Sequence, residues 1–366
     1  MTADVIVIGA GIVGAACADA LTQGGLRVVV IEPSLAVSGA TGAGMGHLLI
    51  LDENEAEFSI TRYSRDRWNQ MAMEMPSSLE YERCGTIWIA AVPEELPLLK
   101  QRCAFLQSRQ VRAEILDSQQ LAEAEPNLRP GLPGGLFIPD DAILYPPAAA
   151  GWLLKRAEQR GAAVLTGKRV THIQAWGVEL EDGSRLEAHH VVCATGMWTP
   201  QLIGGLPIQP RKGHLVITDR YPGFVRHAVM ELGYLKSAHG RESESVAFNV
   251  QPRKTGQVLI GSSRQFGVTD ARPESRIISS MVQRAIDFMP RIAQLSALRA
   301  WTGFRAATPD RLPMVGPVAN RPNCLLCAGH EGIGITTCLA SAGLVSAFIL
   351  GDRPPLDPKP YAVERF

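Results

Sequence analysis

Near the start of the chain stand four apolar β-branched residues in a row, Val5-Ile6-Val7-Ile8, and a second such run, Val28-Val29-Val30-Ile31, follows a stretch of small residues from Ala15 to Leu21. Unbroken apolar runs of this length are the pattern of strands buried on both faces, as in a parallel sheet, and the small-residue stretch predicts the helix that crosses between them. Further along, apolar positions at helical spacing predict helices over 52–74, 94–110, 148–159, 275–288 and 335–350. Strands are predicted at 85–91, 163–165, 189–198 and 324–328, with a meander at 170–180 around Asp182-Gly183. Between 206 and 301 the pattern changes to short alternating strands (215–218, 246–250, 258–261) and one helix, which predicts an antiparallel sheet with a helix on it.

The turn between the first strand and its helix reads Gly9-Ala10-Gly11-Ile12-Val13-Gly14, and the second strand ends on Glu32. Strand, glycine-rich turn, helix, strand and acid in this order form the dinucleotide fingerprint of a βαβ unit. Gly9 allows the tight turn, Gly11 lets a pyrophosphate approach the backbone, and Gly14 lets the helix pack close to the sheet. The helix N-terminus offers N–H groups and the positive end of its dipole to the phosphates. Glu32 is placed to accept hydrogen bonds from ribose hydroxyls. One strand later comes Ser38-Gly39-Ala40-Thr41-Gly42-Ala43-Gly44-Met45-Gly46. So many small residues suit a backbone that wraps a flat ligand, with the Ser38 and Thr41 hydroxyls offered to phosphate.

At 366 residues the chain exceeds what one core usually serves, so two interleaved or consecutive domains are expected. A formal net charge of zero argues against an electrostatic nucleic-acid binder. The start, Met1-Thr2-Ala3-Asp4, lacks the basic region of a secretory signal, and no apolar stretch reaches spanning length. The seven scattered cysteines read as reduced thiols of a cytoplasmic protein. Cys324-x-x-Cys327 has no partner pair and reads as core strand, and the His189-His190 pair reads as a strand edge; no metal site is expected.

The arrangement resembles the FAD-dependent D-amino acid oxidase superfamily, in the branch with glycine oxidase, sarcosine oxidase and bacterial D-amino acid dehydrogenases. The likeness spans almost the whole chain and rests on ordered blocks: the fingerprint with Glu32; 38–46; Val191 to Trp198; Gly303-Phe304-Arg305 through Gly316; and Gly329-His330-Glu331-Gly332-Ile333-Gly334-Ile335-Thr336. The last block is similar to bacterial D-hydroxyproline dehydrogenase β subunits and opine-oxidase-like flavoproteins. The resemblance implies an α/β fold: a Rossmann-like FAD-binding domain (1–75, 146–204 and 302–366) interleaved with an antiparallel-sheet substrate domain (76–145 and 205–301). Non-covalent FAD is implied, since no tethering cysteine matches. Its expected contacts are Gly9, Gly11, Ile12, Val13, Gly14, Glu32, Ser38, Thr41, Gly42, Gly44, Met45 and Gly46 from the first blocks. Arg169, Val170, Thr195, Gly196, Trp198 and Gly303 follow, then Gly329, Glu331, Gly332, Ile333, Gly334, Ile335 and Thr336 from the last.

The resemblance also assigns Arg305 to the substrate carboxylate, which suits a planar guanidinium with two parallel donors. His330 either lines the flavin or packs within its turn. Lys212-Gly213-His214 and Tyr234 fall in the expected substrate domain and read as structural, within reach of the pocket. The implied reaction is oxidation of a small D-amino or secondary imino acid, such as D-proline, D-hydroxyproline, glycine or sarcosine, by hydride transfer from the α-carbon to flavin N5. Oxidation of a 2-hydroxy acid stays open, as does an electron-transfer subunit of a larger complex with iron–sulfur or flavoprotein partners. Also open are a nucleotide-binding subunit without activity and NAD as the cofactor, though the later glycine-rich blocks favour FAD. The electron acceptor is oxygen or a partner redox protein.

Overall fold

The computed structural model describes residues 2–233 and 244–366. Tyr234 lies outside them. Among the described residues the strands form two eight-stranded sheets and a two-stranded ribbon.

The first sheet is built on the apolar runs. Thr2–Ile8 sits at its centre, parallel to Arg185–Cys193 on one side and Val28–Glu32 on the other. Arg321–Ala328 and Ala163–Thr166 extend the parallel sheet outward on those two sides. Alternate residues serve opposite faces. Val5, Val7, Val28 and Val30 pack with the helices Ile12–Gln23, Pro146–Gln159 and Gly334–Leu350. Ile6, Ile8, Val29 and Ile31 pack against Val170, Val178 and Leu180 of the expected meander. Because the two central strands are covered on both faces, unbroken β-branched runs are the sequence this position demands. Cys324 and Cys327 are buried in their strand, as expected; His189 is exposed and His190 half-buried, but their strand is paired with Thr2–Ile8 inside the sheet and is not its edge.

The second sheet runs in the order Ala297–Ala307, Gln209–Arg220, Gln257–Phe266, Glu244–Pro252, Ala228–Glu231, Thr86–Ala90, Gly134–Ile138 and Glu114–Asp117. It is antiparallel except between Ala228–Glu231 and Thr86–Ala90, which are parallel. Each of those two strands is already paired antiparallel with another neighbour, and the parallel seam joins chain segments far apart in sequence. The helix Ser275–Phe288 covers one face through Met281, Ala285 and Phe288. The strand Ala297–Ala307 spans the expected division between 301 and 302 and lies wholly in this sheet, so Arg305 is a residue of the second sheet.

Three hydrogen bonds tie the helix Glu55–Gln70 to Gly334–Leu350: Trp68 Nε1 donates to the Ile335 carbonyl at 3.0 Å, and Ser64 Oγ accepts from the Leu339 and Ala340 N–H groups at 3.2 and 3.3 Å. The helix starts later than 52 because Asn54 Oδ1 caps the Glu57 N–H at 2.8 Å. Among the described residues no helix is long and apolar enough to cross a membrane.

Candidate active site

A cavity of about 910 Å³ opens where the carboxyl ends of the parallel strands meet the uncovered face of the second sheet. Gly9, Glu32, Ala194 and Ala328, each at the end of a parallel strand, line it from the first sheet, and Arg305, Gly213, Ser262 and Asn249 line it from the second. Ligands of open α/β sheets bind at this edge. Of the residues expected to contact cofactor or substrate, all except Gly14, Gly42 and Thr336 line this cavity.

The fingerprint turn has the geometry its glycines require. Gly9 has φ +105°, and a β-carbon there would lie 2.6 Å from the Ala194 carbonyl oxygen. A β-carbon on Gly14 would lie 1.9 Å from the Gly9 carbonyl oxygen, so Gly14 serves helix-to-turn packing behind the cavity wall. The N–H groups of Gly11, Val13 and Gly14 have no hydrogen-bond partner among the described residues. Glu32 holds the turn as well as facing the cavity: its Oε2 accepts the Ala10 N–H at 2.9 Å and its Oε1 the Ser34 hydroxyl at 2.9 Å.

The two hydroxyls expected to reach phosphate are engaged within the protein. Thr41 Oγ1 accepts the Ile12 N–H at 2.9 Å and so caps the fingerprint helix from a segment distant in sequence. Ser38 Oγ donates to the Leu35 carbonyl at 2.7 Å, a bond within its own turn. The glycine-rich segment also forms a short helix, Gly39–Gly42, where a wrapping loop was expected. Close packing explains its small residues: a β-carbon on Gly44 would lie 2.8 Å from Ile335, and one on Gly46 1.8 Å from the Leu144 carbonyl oxygen.

The turn 329–334 leads into the helix Gly334–Leu350, and the N–H groups of Gly332, Gly334, Ile335 and Thr336 have no hydrogen-bond partner among the described residues. The Glu331 N–H is taken by the Ala306 carbonyl at 2.9 Å, which fastens the turn to the strand that carries Arg305. The Glu331 side chain turns to the buried Arg211, whose Nη1 lies 3.0 Å from Oε1. His330 is 5% exposed; burial lowers its pKa to about 4, and its Nε2 pairs with Ser341 Oγ at 3.0 Å. The ring thus borders the cavity as a neutral group packed within the turn.

Arg305 occupies a slot made by two glycines. A β-carbon on Gly213 would lie 2.5 Å from its Nη1, and one on Gly332 would lie 3.1 Å from its Nε. Crossing Gly213, the guanidinium donates from Nη1 to the Ser263 carbonyl at 3.0 Å. Arg211 lies directly opposite Arg305 in the strand pairing and stacks over Phe266. His214 lines the cavity with both ring nitrogens engaged. Its Nε2 accepts the Glu274 N–H at 3.1 Å, which puts the ring proton on Nδ1 for Ser263 Oγ at 2.9 Å. Lys212 is buried and bound to Glu274 at 2.8 Å.

Several lining residues were not singled out from the sequence. Glu53 and Arg311 pair at 2.6 Å, and beside them burial raises the Glu57 pKa to about 7, helped by the neighbouring Glu53 charge. Met230, Asn249, Ser262 and Arg264 also line the cavity. The usable signal was strand alternation: Arg211 and Gly213, then Gly303 and Arg305, fall on one sheet face, but which strands are neighbours is not written in either segment.

The residues present fit a flavin dinucleotide. Unpaired N–H groups at the starts of two helices suit the pyrophosphate and the electron-rich edge of an isoalloxazine, and Glu32 faces the same cavity. Among the described residues no cluster of ligating side chains could hold a metal ion. Residues 4–348 match the family described as FAD dependent oxidoreductase (DAO). The chain belongs to this family. FAD is its cofactor, and it is an oxidoreductase. The hydrogen cyanide synthase subunit HcnC of Pseudomonas aeruginosa is 25% identical, the match covering 100% of this chain and 96% of HcnC. The glycine oxidase of Pseudomonas putida is also 25% identical, over 100% of this chain and 99% of its own length. The crystal structure of glycine oxidase from Geobacillus kaustophilus superposes with a TM-score of 0.90 at 25% identity, covering 100% of this chain and 99% of that one.

Proposed function

We propose that this chain oxidises a small amino or imino acid at its carbon–nitrogen bond, with Arg305 holding the substrate carboxylate. The observation that carries the reading is the glycine slot, which fixes the Arg305 guanidinium in the cavity beside the unpaired N–H groups of the turn 329–334. Similarity to glycine oxidases supports an amino donor. In this reading 1–75, 146–204 and the chain after the strand Ala297–Ala307 bind FAD, and the other segments cover the substrate, with Arg305 reaching in from the second sheet.

Bound FAD supplies the two-electron acceptor for a hydride from the substrate α-carbon. The chain's own residues orient and enclose. Ser263 anchors the guanidinium through Nη1, and a guanidinium can pair with a carboxylate through parallel donors. Leu49, Leu51 and Met230 give the substrate end apolar walls. His214, engaged at both nitrogens, and His330, kept neutral by burial, are not placed as proton acceptors, so the amine enters uncharged. The N–H groups at the start of the helix Gly334–Leu350 favour negative charge beside them. Similarity to a synthase subunit supports assembly with a partner chain, and the free cysteines are consistent with a cytoplasmic enzyme.

The test is an anaerobic absorbance titration of the holoenzyme with D-proline, D-alanine, sarcosine, glycine and 2-hydroxyglutarate. Bleaching by an amine is expected, and admission of air then tells an oxidase from an enzyme that needs another acceptor. Bleaching by the hydroxy acid alone would overturn the reading.

A further inference from the structure

Beside Arg305 the pairing of two strands slips by one residue. Gln209–Arg220 and Gln257–Phe266 are in register at Lys212–Gln265 and again at Val216–Ile260, so three residues, 213–215, face four, 261–264. A bulge of this kind interrupts the ladder and re-aims the groups within it. Here a side chain steps in. Ser263 Oγ accepts the His214 N–H at 2.9 Å and the proton on His214 Nδ1 at 2.9 Å, so both its lone pairs are engaged. The Ser263 carbonyl receives Arg305 Nη1 at 3.0 Å. Ser263 and His214 are both fully buried.

The imidazole is fixed from its other side as well. Nε2 accepts the Glu274 N–H at 3.1 Å, just before the helix Ser275–Phe288, and the Glu274 carboxylate takes the buried Lys212 at 2.8 Å and Gln265 at 3.2 Å. A line of contacts therefore runs from the guanidinium through Ser263, His214 and Glu274 to Lys212. The triplet Lys212-Gly213-His214 supplies three of its parts. Gly213 gives the space that the guanidinium crosses, His214 the donors that occupy the Ser263 hydroxyl, and Lys212 the cation that holds Glu274. We infer that Ser263 and His214 are positioning residues for Arg305, setting how its guanidinium meets the substrate carboxylate; the inference rests on the carboxylate reading above. The physical reason is competition for one carbonyl. Without the Ser263 hydroxyl the buried His214 N–H needs another acceptor, and it turns to the Ser263 carbonyl at the expense of Arg305. A guanidinium released there spreads over more rotamers, and the carboxylate has to order it again on binding.

The test reads binding apart from chemistry in the holoenzyme. One quantity is the dissociation constant of propanoate, from the shift in flavin absorbance. The other is that of glycine, sarcosine or D-proline, whichever reduces the flavin, from the concentration dependence of anaerobic reduction. Ser263→Ala should weaken both about tenfold or more and His214→Leu about fivefold, while the reduction rate at saturation stays within about threefold of the parent. Ser263→Thr, which keeps the hydroxyl, should bind more tightly than Ser263→Val, which has the same branched shape without it; this comparison holds even if the alanine variant folds poorly. In an Arg305→Ala background, Ser263→Ala should change binding by less than about twofold, because its effect passes through the guanidinium, whereas a purely structural role would weaken binding by the same factor in both backgrounds. That equal factor, or a Ser263→Ala protein that binds as the parent does, would overturn the positioning role and leave the carboxylate reading intact. An Arg305→Ala protein that binds as the parent does, or a parent that binds neither ligand, would overturn the carboxylate reading and the inference with it.

Discussion

Arg305 lies flat across Gly213: a β-carbon at that glycine would come within 2.5 Å of Nη1 and 2.9 Å of Cζ. Gly213 sits in a regular strand without a left-handed φ, so its backbone does not need glycine; the space above it does. Gly213→Ala should therefore leave thermal stability close to that of the parent, because a flexible side chain can move aside. It should lower kcat/KM by roughly tenfold or more, mainly through KM, because the carboxylate anchor is displaced. Steady-state kinetics beside a melting curve checks both halves, and unchanged kinetics would remove the slot from the argument.

Removal of the anchor itself should cost more. Arg305→Ala is expected to lower kcat/KM by roughly 2–4 kcal/mol, the scale of a lost charged hydrogen-bond pair. Arg305→Lys should recover only part of it, since an ammonium cannot offer two parallel donors while bonded to the Ser263 carbonyl. Activity of the alanine variant within about threefold of the parent would end the assignment of Arg305 to the carboxylate.

How much of this could be read from the sequence follows the range of the interactions. The strands 5–8 and 28–31, the fingerprint turn, Glu32 and the helix 275–288 are dictated by neighbours in sequence, and they stand where their patterns put them. Thr41 was legible as part of a phosphate-facing loop but caps Ile12 from 29 residues away, a bond that local pattern cannot show. The Gly213 slot and the Glu331–Arg211 pair depend on the order of strands in the second sheet, which short alternating segments leave undetermined. Arg305 is legible only through the likeness of its block to a family; its periodicity alone marks a strand residue and no more.

The pair Glu331–Arg211 joins the turn before the helix Gly334–Leu350 to the strand opposite Arg305. Arg211 is 4% exposed, so loss of its counter-ion leaves a buried charge with less compensation. Glu331→Gln should destabilise the protein by roughly 2–4 kcal/mol and weaken FAD retention, since the unpaired N–H groups of Gly332 and Gly334 lose their fixed position. Denaturant unfolding and the ratio of flavin to protein absorbance after dialysis measure the two effects. Retention of FAD at the parental ratio would show that the turn holds its place without the pair.

The turn also carries an acid sensitivity. Burial lowers the His330 pKa from 6.5 to about 4. Between these values the unfolded chain binds the proton and the folded one does not, so the stability this group contributes is complete above pH 6.5 and is lost as the pH falls toward 4. Glu57, raised to about 7, and Asp141, raised to about 6, act in the opposite sense, because the folded state binds their protons more tightly. The wild-type profile is thus a difference of opposing slopes, and His330→Gln, which cannot titrate, separates them. The variant loses the ring's packing and its bond to Ser341 at every pH, but the gap between variant and parent should narrow by roughly 1–3 kcal/mol from pH 7.5 to pH 4.5. Urea unfolding of both proteins at the two pH values measures that change. A gap of the same size at both would mean that the proton reaches His330 in the folded protein as readily as in the unfolded chain, and that the turn is open to water.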